Sequence, residues 1–262
     1  MLSNYYDHIS IFSLVFNEDL SSIKYAELKK KDASEIGITY SIQQMSMQDP
    51  LYLVHEQLAK AAADPSIQGI IVQKPPSSIM PSKDWWDQVI AAVPARKDCD
   101  GLTSSRLVLP ATARAVLEIA KQAEQDLQIS FRSKHAIVIG KSEIVGKPAA
   151  HALRTELGMK VELWGKDEMA MSRSHLQTAD LVVTATGQSL LFSSSELKPG
   201  AVTIDCGAPK EELEGVKQDT RLAFVSPVPG GVGPMTRVCL LENLLDLCDR
   251  FKEVRTSGGL VI

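Results

Sequence analysis

Apolar runs of β-strand type alternate along this chain with stretches of helical periodicity. The strand-like runs are residues 9–16, 38–44, 69–73, 136–140, 160–164, 181–185, 202–206 and 222–225. The helical patterns cover residues 21–36, 51–63, 85–92, 112–125, 147–157 and 235–253. Strands that are separated by helices pair in parallel, because the helix carries the chain back to the same end of the sheet. The sequence therefore predicts an α/β fold, and the Thr, Ser and Pro residues of 102–110 divide it into two lobes.

The composition narrows the class of protein. With 262 residues, of which 44% are hydrophobic and 23% charged, the chain matches a soluble globular protein with a buried core. A net charge of −4 argues against a nucleic-acid partner, since binding to phosphates needs clustered lysine and arginine. The four cysteines form no CxxC pair and the five histidines lack metal-ligand spacing, so we assign no metal site. The start of the sequence lacks a signal-peptide core and no apolar stretch reaches about 18 residues, so we expect a cytoplasmic protein without a membrane anchor.

Residues 136–148 have the order strand, glycine turn, helix that is typical of phosphate-binding turns. Two known motifs fail to match: the middle glycine of GxGxxG is missing between Gly140 and Gly146, and the spacing of a Walker A lysine is wrong. A dinucleotide-binding lobe is the better interpretation. After the next strand, Lys166 suits a ribose 2′-phosphate, as in NADP, whereas the neighbouring Asp167 keeps NAD open. A solvated Lys166 that binds no ligand is the alternative.

Polar residues of the first lobe fall where ligands bind in α/β folds. Tyr25 and Lys29 are four residues apart on a predicted helix, so that phenol and ammonium share a face and can act as an acid/base pair. Gln73 ends a buried strand before two prolines, and Asp100 lies in the tight acidic turn 97–101. We expect both to reach the same rim of the sheet. The alternatives are an exposed Tyr–Lys pair and an ordinary Asx turn.

Residues 227–236 contain three prolines and three glycines, which excludes an ordinary helix or strand there. The segment follows the predicted strand 222–225, and open α/β sheets bind ligands at the carboxyl ends of their strands. We therefore expect a rigid ligand-binding loop, with a purely structural turn as the alternative.

Taken in order, these motifs resemble those of the methylenetetrahydrofolate dehydrogenase/cyclohydrolase family. The shared motifs are the Tyr-x-x-x-Lys helix at 25–29, Val-Gln-x-Pro at 72–75, Lys-Asp-x-Asp-Gly at 97–101, the glycine turn at 140–148 and the whole loop 227–236. The resemblance implies a folate-binding catalytic domain formed by residues 1–111 and 238–262, to which the C-terminal helix returns. It also implies a Rossmann-type NAD(P)-binding domain at residues 112–237.

The resemblance further implies two activities and a set of catalytic residues. Members of the family oxidise 5,10-methylenetetrahydrofolate with NADP and hydrolyse the methenyl product to 10-formyltetrahydrofolate. By this comparison Lys29 is the central catalytic residue, and Tyr25 and Gln73 position it. Asp100 would hold the pterin ring of the folate, which Tyr25 also contacts.

The same resemblance assigns the remaining binding residues and the partners. Pro229, Gly230 and Gly231 would contact the substrate as the loop closes between the folate and the cofactor. We expect NADP as the cofactor, with NAD as the alternative, and a homodimer. The expected cofactor-binding residues are Gly140, Lys141, Ser142, Ile144, Lys166, Thr186, Gly187, Cys206 and Gly207.

The chain also departs from the family pattern. Lys141 stands where arginine is usual, and Gly165 and Lys166 replace a His-Ser pair. Lys74 follows Gln73 where the family has an apolar residue, and we expect it to place a charge close to the folate pocket. Two alternative functions stay open: a non-catalytic or monofunctional folate- or nucleotide-binding homologue, and another two-lobed NADP oxidoreductase of the shikimate dehydrogenase type.

Overall fold

The computed structural model describes residues 8–189, 191–207, 210–216 and 219–256. The chain divides into two compact units. The second unit is Pro110–Cys239, and the first combines the residues up to Leu109 with those from Leu240 onward. Each unit contains a parallel sheet with helices between its strands. The predicted two-lobed α/β fold is confirmed.

The first unit contains a three-stranded sheet. Its elements before residue 110 are β1 (Ser10–Phe16), α1 (Leu20–Glu35), β2 (Thr39–Met45), α2 (Leu51–Ala63), β3 (Gly69–Val72) and α3 (Lys83–Ala91). The strand order is β2-β1-β3, and Leu14 of β1 lies opposite Gln43 of β2 and Val72 of β3. Because the three strands are parallel, their carboxyl ends share one edge of the sheet, and Gln73 directly follows β3 at this edge.

The two faces of this sheet carry different side chains. On one face, Phe16, Ile70 and Trp86 belong to a hydrophobic core that the sheet forms with α2 and α3. Side chains alternate between the faces along a strand, so the register turns Ser13 and Tyr40 toward the opposite face. That face therefore places polar groups inside the first unit.

The second unit contains a five-stranded sheet and a separate two-stranded one. Its elements are α4 (Ala111–Leu127), β4 (His135–Ile139), α5 (Gly146–Glu156), β5 (Lys160–Trp164), α6 (Lys166–Met171), β6 (Leu181–Thr184), β7 (Phe192–Ser193), β8 (Val202–Asp205), β9 (Leu213–Glu214) and β10 (Phe224–Val225). The large sheet has the order β10-β8-β6-β4-β5, and β7 pairs with β9. The strand order reverses at β4, between β5 and β6. In open parallel sheets, such a reversal opens a crevice for a ligand at the carboxyl ends of the strands.

The last helix, α7 (Val232–Thr256), begins inside the proline- and glycine-rich segment. The expectation that residues 227–236 contain no helix is therefore wrong for their second half. Pro234 fits there because the first turn of a helix needs no amide donor at that position. From Leu240 onward the helix belongs to the first unit, where the buried Asn243 donates from Nδ2 to the carbonyls of Cys99 and Leu109, at 3.0 and 2.9 Å.

None of the helices in the described ranges is long and apolar enough to cross a membrane. Among these residues, no group of three or more His, Cys, Asp or Glu side chains is arranged to hold a metal ion. The four cysteines are free thiols, two of them fully buried.

Candidate active site

Helix α1 positions Tyr25 and Lys29 in the first unit. Asp19 caps the helix, because its Oδ1 accepts hydrogen bonds from the Ser22 amide at 3.1 Å and from the Ser21 hydroxyl at 2.6 Å. One turn apart on this helix, the Lys29 ammonium lies 5.1 Å from the centroid of the Tyr25 ring. Lys29 is only 3% exposed, so the alternative of an exposed Tyr–Lys pair is wrong.

Asp100 meets Lys29 in the interior of this unit. Its Oδ2 lies 3.5 Å from Lys29 Nζ, and its side chain is 16% exposed. An ammonium that is buried this deeply needs a negative partner, and Asp100 supplies it. The structure thus brings Lys29 and Asp100 together. The expectation that Gln73 and Asp100 reach the same rim agrees with their common neighbour, since both act on the pKa of the Tyr40 phenol.

The turn that presents Asp100 is fixed from both ends by buried charged residues. Lys97 donates from Nζ to the carbonyls of Ala61 and Asp64, at 3.1 and 2.7 Å, and so binds the carboxyl end of α2. Asp98 accepts the amides of Gly101 and Thr103, at 2.9 and 2.7 Å. Burial raises the pKa of Asp98. These hydrogen bonds reach three and five residues along the chain, whereas an ordinary Asx turn reaches two, so the Asp98 carboxylate braces a wider turn.

Three buried polar atoms in the first unit make no hydrogen bond of good geometry within the described chain: Ser13 Oγ, Tyr40 Oη and Gln73 Nε2. They lie close together, since both Ser13 and Gln73 act on the pKa of the Tyr40 phenol. Burial raises the pKa of the Tyr40 phenol, and the charge of Asp100 acts in the same direction, so the phenol stays protonated. Unsatisfied buried polar atoms are rare, and they are typical of sites that a ligand or water completes. Sequence reasoning found Gln73 but missed Ser13 and Tyr40, which strand alternation combined with the register identifies.

Lys74 does not point toward this cluster. Its ammonium lies 5.6 Å from the ring centroid of Trp86, which belongs to the core on the opposite face of the sheet. Partial burial lowers the pKa of Lys74. Lys74 and Gln73 lie on different sides because consecutive residues of an extended strand end point to opposite sides, and the effect of Lys74 on folate binding stays a prediction.

In the second unit, two glycines close the turn between β4 and α5. Gly140 has φ +121°, and a Cβ there would lie 2.3 Å from the carbonyl oxygen of Ala185. A Cβ on Gly146 would lie 1.6 Å from the Gly140 carbonyl oxygen. Ser142 caps the first turn of α5, since its Oγ accepts the amides of Val145 and Gly146, both at 3.2 Å. Only glycine fits these two positions, and the turn forms a tight cradle at the reversal of the strand order.

Lys141 and Glu168 form an ion pair beside this cradle. Glu168 also accepts the Gly165 amide at 2.7 Å through Oε2. The hydrogen bond from Lys141 is the main reason that the pKa of Glu168 falls to about 2, so the carboxylate is charged at neutral pH. Lys166 is exposed. Sequence reasoning missed Glu168, because nothing in the sequence links it to Lys141.

The predicted residues after β6 are held by a buried carboxylate. Glu212 accepts the amides of Thr186 and Gly187, at 2.9 and 2.7 Å, and also the Thr186 hydroxyl at 2.8 Å. Burial raises the pKa of Glu212. The amides of Thr186 and Gly187 are therefore already occupied, so these residues shape the site and donate little to it. Glu212 was missed as well, because its partners lie far away in sequence.

The residues after β8 are organised in a similar way. Asp205 accepts the Gly207 amide at 2.7 Å and the Glu212 amide at 2.8 Å. Burial raises the pKa of the Cys206 thiol, and the charge of Glu212 adds to the effect. Cys206 is consequently a neutral thiol in the wall of this unit.

The loop before α7 is compact. The Gly231 amide donates to the Pro227 carbonyl at 2.7 Å, and Gly230 has φ +115°. The peptide bond between Val228 and Pro229 is cis. These contacts give the loop a defined shape in the second unit.

These features define a class of protein: a two-domain α/β protein with a buried Lys–Asp–Tyr cluster in one unit and a nucleotide-type glycine cradle in the other. Comparison with known families makes the assignment specific. The catalytic domain of the tetrahydrofolate dehydrogenase/cyclohydrolase family matches residues 5–100, and its NAD(P)-binding domain matches residues 110–252. The chain belongs to this family, which confirms the resemblance seen in its motifs.

Individual relatives cover most of the chain. The bifunctional protein FolD of Nitrosomonas europaea is 33% identical over 264 residues, or 94% of this chain and 85% of the relative. Its namesake in Lactobacillus helveticus is 33% identical over 255 residues, or 89% and 84%. Among solved structures, the bifunctional FolD methylenetetrahydrofolate dehydrogenase/cyclohydrolase of Campylobacter jejuni has a TM-score of 0.82 at 25% identity, covering 95% of this chain and 90% of that one.

Proposed function

We propose that this chain is a bifunctional folate enzyme. It oxidises 5,10-methylenetetrahydrofolate with NADP and hydrolyses the resulting 5,10-methenyltetrahydrofolate to 10-formyltetrahydrofolate. Family membership and the names of the relatives support both activities. The observation that carries the proposal is the buried amine of Lys29 beside Asp100 and Tyr25. Burying an amine costs free energy, and a catalytic role for Lys29 would account for that cost.

In the oxidation, bound NADP supplies the nicotinamide ring that accepts a hydride from the methylene carbon. No proton is transferred in that step, so the chain acts by orienting the folate. The Asp100 carboxylate accepts hydrogen bonds from the aminopyrimidine edge of the pterin. The unpaired Gln73 amide and Tyr40 phenol are further groups that a polar ring can satisfy.

In the hydrolysis, water attacks the cationic methenyl carbon and must lose a proton. In its neutral form the Lys29 amine receives this proton as the carbon–oxygen bond forms. The bond from that carbon to N5 then breaks, the proton of the new hydroxyl passes to N5, and the formyl group stays on N10. Tyr25 packs against Lys29 and limits where its amine can lie. Lys29 is thus the group that separates the two activities.

In the second unit we assign the cofactor to the cradle of Gly140, Lys141, Ser142 and Ile144, with Lys166 next to it. Cys206 with Gly207, and Thr186 with Gly187, follow neighbouring strands of the sheet and would line the nicotinamide side. The loop residues Pro229, Gly230 and Gly231 are assigned to the substrate. NADP is the expected cofactor, and NAD stays an alternative.

The test compares the purified protein with Lys29→Met and Lys30→Met, the second being an exposed neighbour on the same helix. Methenyl-folate and reduced nicotinamide are followed separately after mixing with 5,10-methylenetetrahydrofolate and either NADP or NAD. We expect the unmodified protein to form reduced cofactor without accumulating methenyl-folate. Lys29→Met should accumulate methenyl-folate, whereas Lys30→Met should behave like the unmodified protein.

Other outcomes decide between the remaining functions. Folate binding without any reduced cofactor would support the non-catalytic homologue. Turnover of shikimate but not of folate would support the shikimate dehydrogenase type. Equal hydrolysis by Lys29→Met and the unmodified protein would remove Lys29 from the mechanism.

The resemblance also suggests a homodimer in the cytoplasm without a nucleic-acid partner. The net charge of −4 supports the last point. Sedimentation equilibrium of the purified chain would test the dimer, since a monomer at micromolar concentration would contradict it.

A further inference from the structure

An ion pair lies across the end of β5, at the place where sequence comparison expects a histidine. Gly165 directly follows this strand, and a Cβ at Gly165 would come within 3.2 Å of Lys141 Cδ and 3.3 Å of Glu168 Oε2. The missing side chain thus leaves the space that the Lys141–Glu168 pair fills. Glu168 is held there a second time by the Gly165 amide. The carboxylate is therefore fixed beside the cradle by two contacts.

The position of this carboxylate matters for the choice of dinucleotide. In Rossmann-type domains, the residues just after the second strand face the ribose, roughly 20 residues after the glycine turn. An acidic group there accepts a hydrogen bond from the 2′-hydroxyl of NAD, whereas it repels the 2′-phosphate of NADP. Conversely, a cation such as Lys141 favours the phosphate, but here Glu168 compensates its charge.

We propose that Glu168 is the specificity-determining residue of the cofactor site, and that it weakens the preference of this chain for NADP over NAD. The inference rests on the proposed function, because it concerns the cofactor of the same enzyme. For Lys141 to bind a ribose 2′-phosphate, it must break its ion pair with Glu168. A ribose 2′-hydroxyl can instead donate a hydrogen bond to the Glu168 carboxylate while that ion pair stays intact. The exposed Lys166 forms no ion pair with an acidic side chain among the described residues, so its charge is not compensated in the way that the charge of Lys141 is.

The test is the Glu168→Gln variant, which keeps the size of the side chain and an oxygen for the Gly165 amide. Glu118→Gln is the matched control: Glu118 pairs with Lys121 on α4, and the two side chains are 36% and 39% exposed, against 38% and 45% for Glu168 and Lys141. Both variants change the net charge equally. Calorimetry measures the Kd of adenosine 2′,5′-bisphosphate and of AMP, so that the readout needs neither folate nor turnover. The kcat/KM ratio for NADP over NAD is measured alongside.

We expect Glu168→Gln to raise the preference for the bisphosphate over AMP by about tenfold, and the kcat/KM ratio by a similar factor, because a like charge no longer opposes the phosphate. Glu118→Gln should change both ratios by less than about twofold. An unchanged ratio in Glu168→Gln, or equal rises in both variants, would overturn the inference while leaving the folate activities intact. If the unmodified protein bound neither nucleotide, the cofactor site itself would be wrong, and this inference would be lost with it.

Discussion

Lys29 Nζ and Asp100 Oδ2 lie 3.5 Å apart inside the first unit. The two groups come from distant parts of the chain, one from a capped helix and the other from an acidic turn. Their pairing stabilises a buried ammonium and leaves one edge of the carboxylate for a further hydrogen bond. If Asp100 binds folate as proposed, it couples folate binding to the position of Lys29.

Replacing Asp100 with Asn should weaken folate binding. A hydrogen bond to a charged group contributes about 1.5–3 kcal/mol, so we expect the KM for folate to rise by about 10- to 100-fold. Steady-state kinetics with saturating NADP measures this change. Asp87→Asn, at an exposed carboxylate on α3, is the control and should leave the KM unchanged. A KM for Asp100→Asn within about twofold of the original would remove this residue from the folate site.

The helix cap at Asp19 makes stability depend on pH. Burial raises the pKa of Asp19, but hydrogen bonds from Ser21 and Ser22 outweigh this, and the net pKa is lowered. A lowered pKa in the folded state stabilises the fold above the unfolded pKa of about 4, and this stabilisation is lost as the pH falls through the folded value. Asp19→Ala should lower the free energy of unfolding by about 1 kcal/mol at pH 7. The difference in this free energy between the variant and the unmodified protein should shrink below about pH 4.

Urea unfolding at several pH values would measure this difference. Glu27→Ala is the control, since Glu27 is exposed on the same helix and plays no part in the cap. A cost that stays constant between pH 7 and pH 3.5 would show that the Asp19 charge does not stabilise α1.

Lys97 should matter for stability, although it belongs to a motif shared with a catalytic family. Lys97→Met would leave the carbonyls of Ala61 and Asp64 without their buried donor, at a cost of about 1–3 kcal/mol. Lys60→Met, at an exposed lysine on the same helix α2, should cost less than about 0.5 kcal/mol. Urea unfolding measures both variants, and equal values would mean that the Lys97 contacts contribute nothing.

The sequence predicted the strands of the two larger sheets and the main helices because their periodicity is local. It missed α6 and the two-residue strands β7 and β9, which are too short to show a periodicity. It also singled out Lys29, Gln73 and Asp100, because Lys29 shares a predicted helix face with Tyr25, Gln73 ends a strand and Asp100 lies in a tight turn; their roles stay predictions. It did not find Glu212 or Glu168, whose partners are contacted only after the chain has folded. Sequence spacing carries no information about such long-range contacts.

Two further differences between the sequence prediction and the structure have a physical reason. The helical start at Val232 was missed because Pro234 was read only as a helix breaker, although a first helical turn accepts it. Lys74 was placed beside Gln73 because the two are consecutive, whereas in the structure its ammonium lies over Trp86, since neighbouring residues on a strand end point apart.

Two glycines near the start of α7, Gly231 and Gly233, differ in the room that each leaves for a side chain. A Cβ on Gly231 would lie 2.6 Å from the Pro227 carbonyl oxygen, which is backbone and cannot move aside cheaply. A Cβ on Gly233, two residues later in the first turn of α7, would meet nothing within 4 Å. Gly231→Ala should therefore deform the loop and cost about 1–3 kcal/mol, whereas Gly233→Ala should be neutral or slightly stabilising.

The activity of the two variants should differ in the same way. If the loop contacts the substrate, Gly231→Ala should lower kcat/KM for folate by about tenfold, since small displacements of positioning groups are costly. Thermal unfolding and folate kinetics on both variants measure the two effects. A Gly231→Ala protein with a deformed, less stable loop but unchanged kcat/KM would show that the loop serves the fold alone. Equal losses of stability in both variants would instead contradict the close approach of Gly231 to Pro227, because only Gly231 lacks room for a side chain.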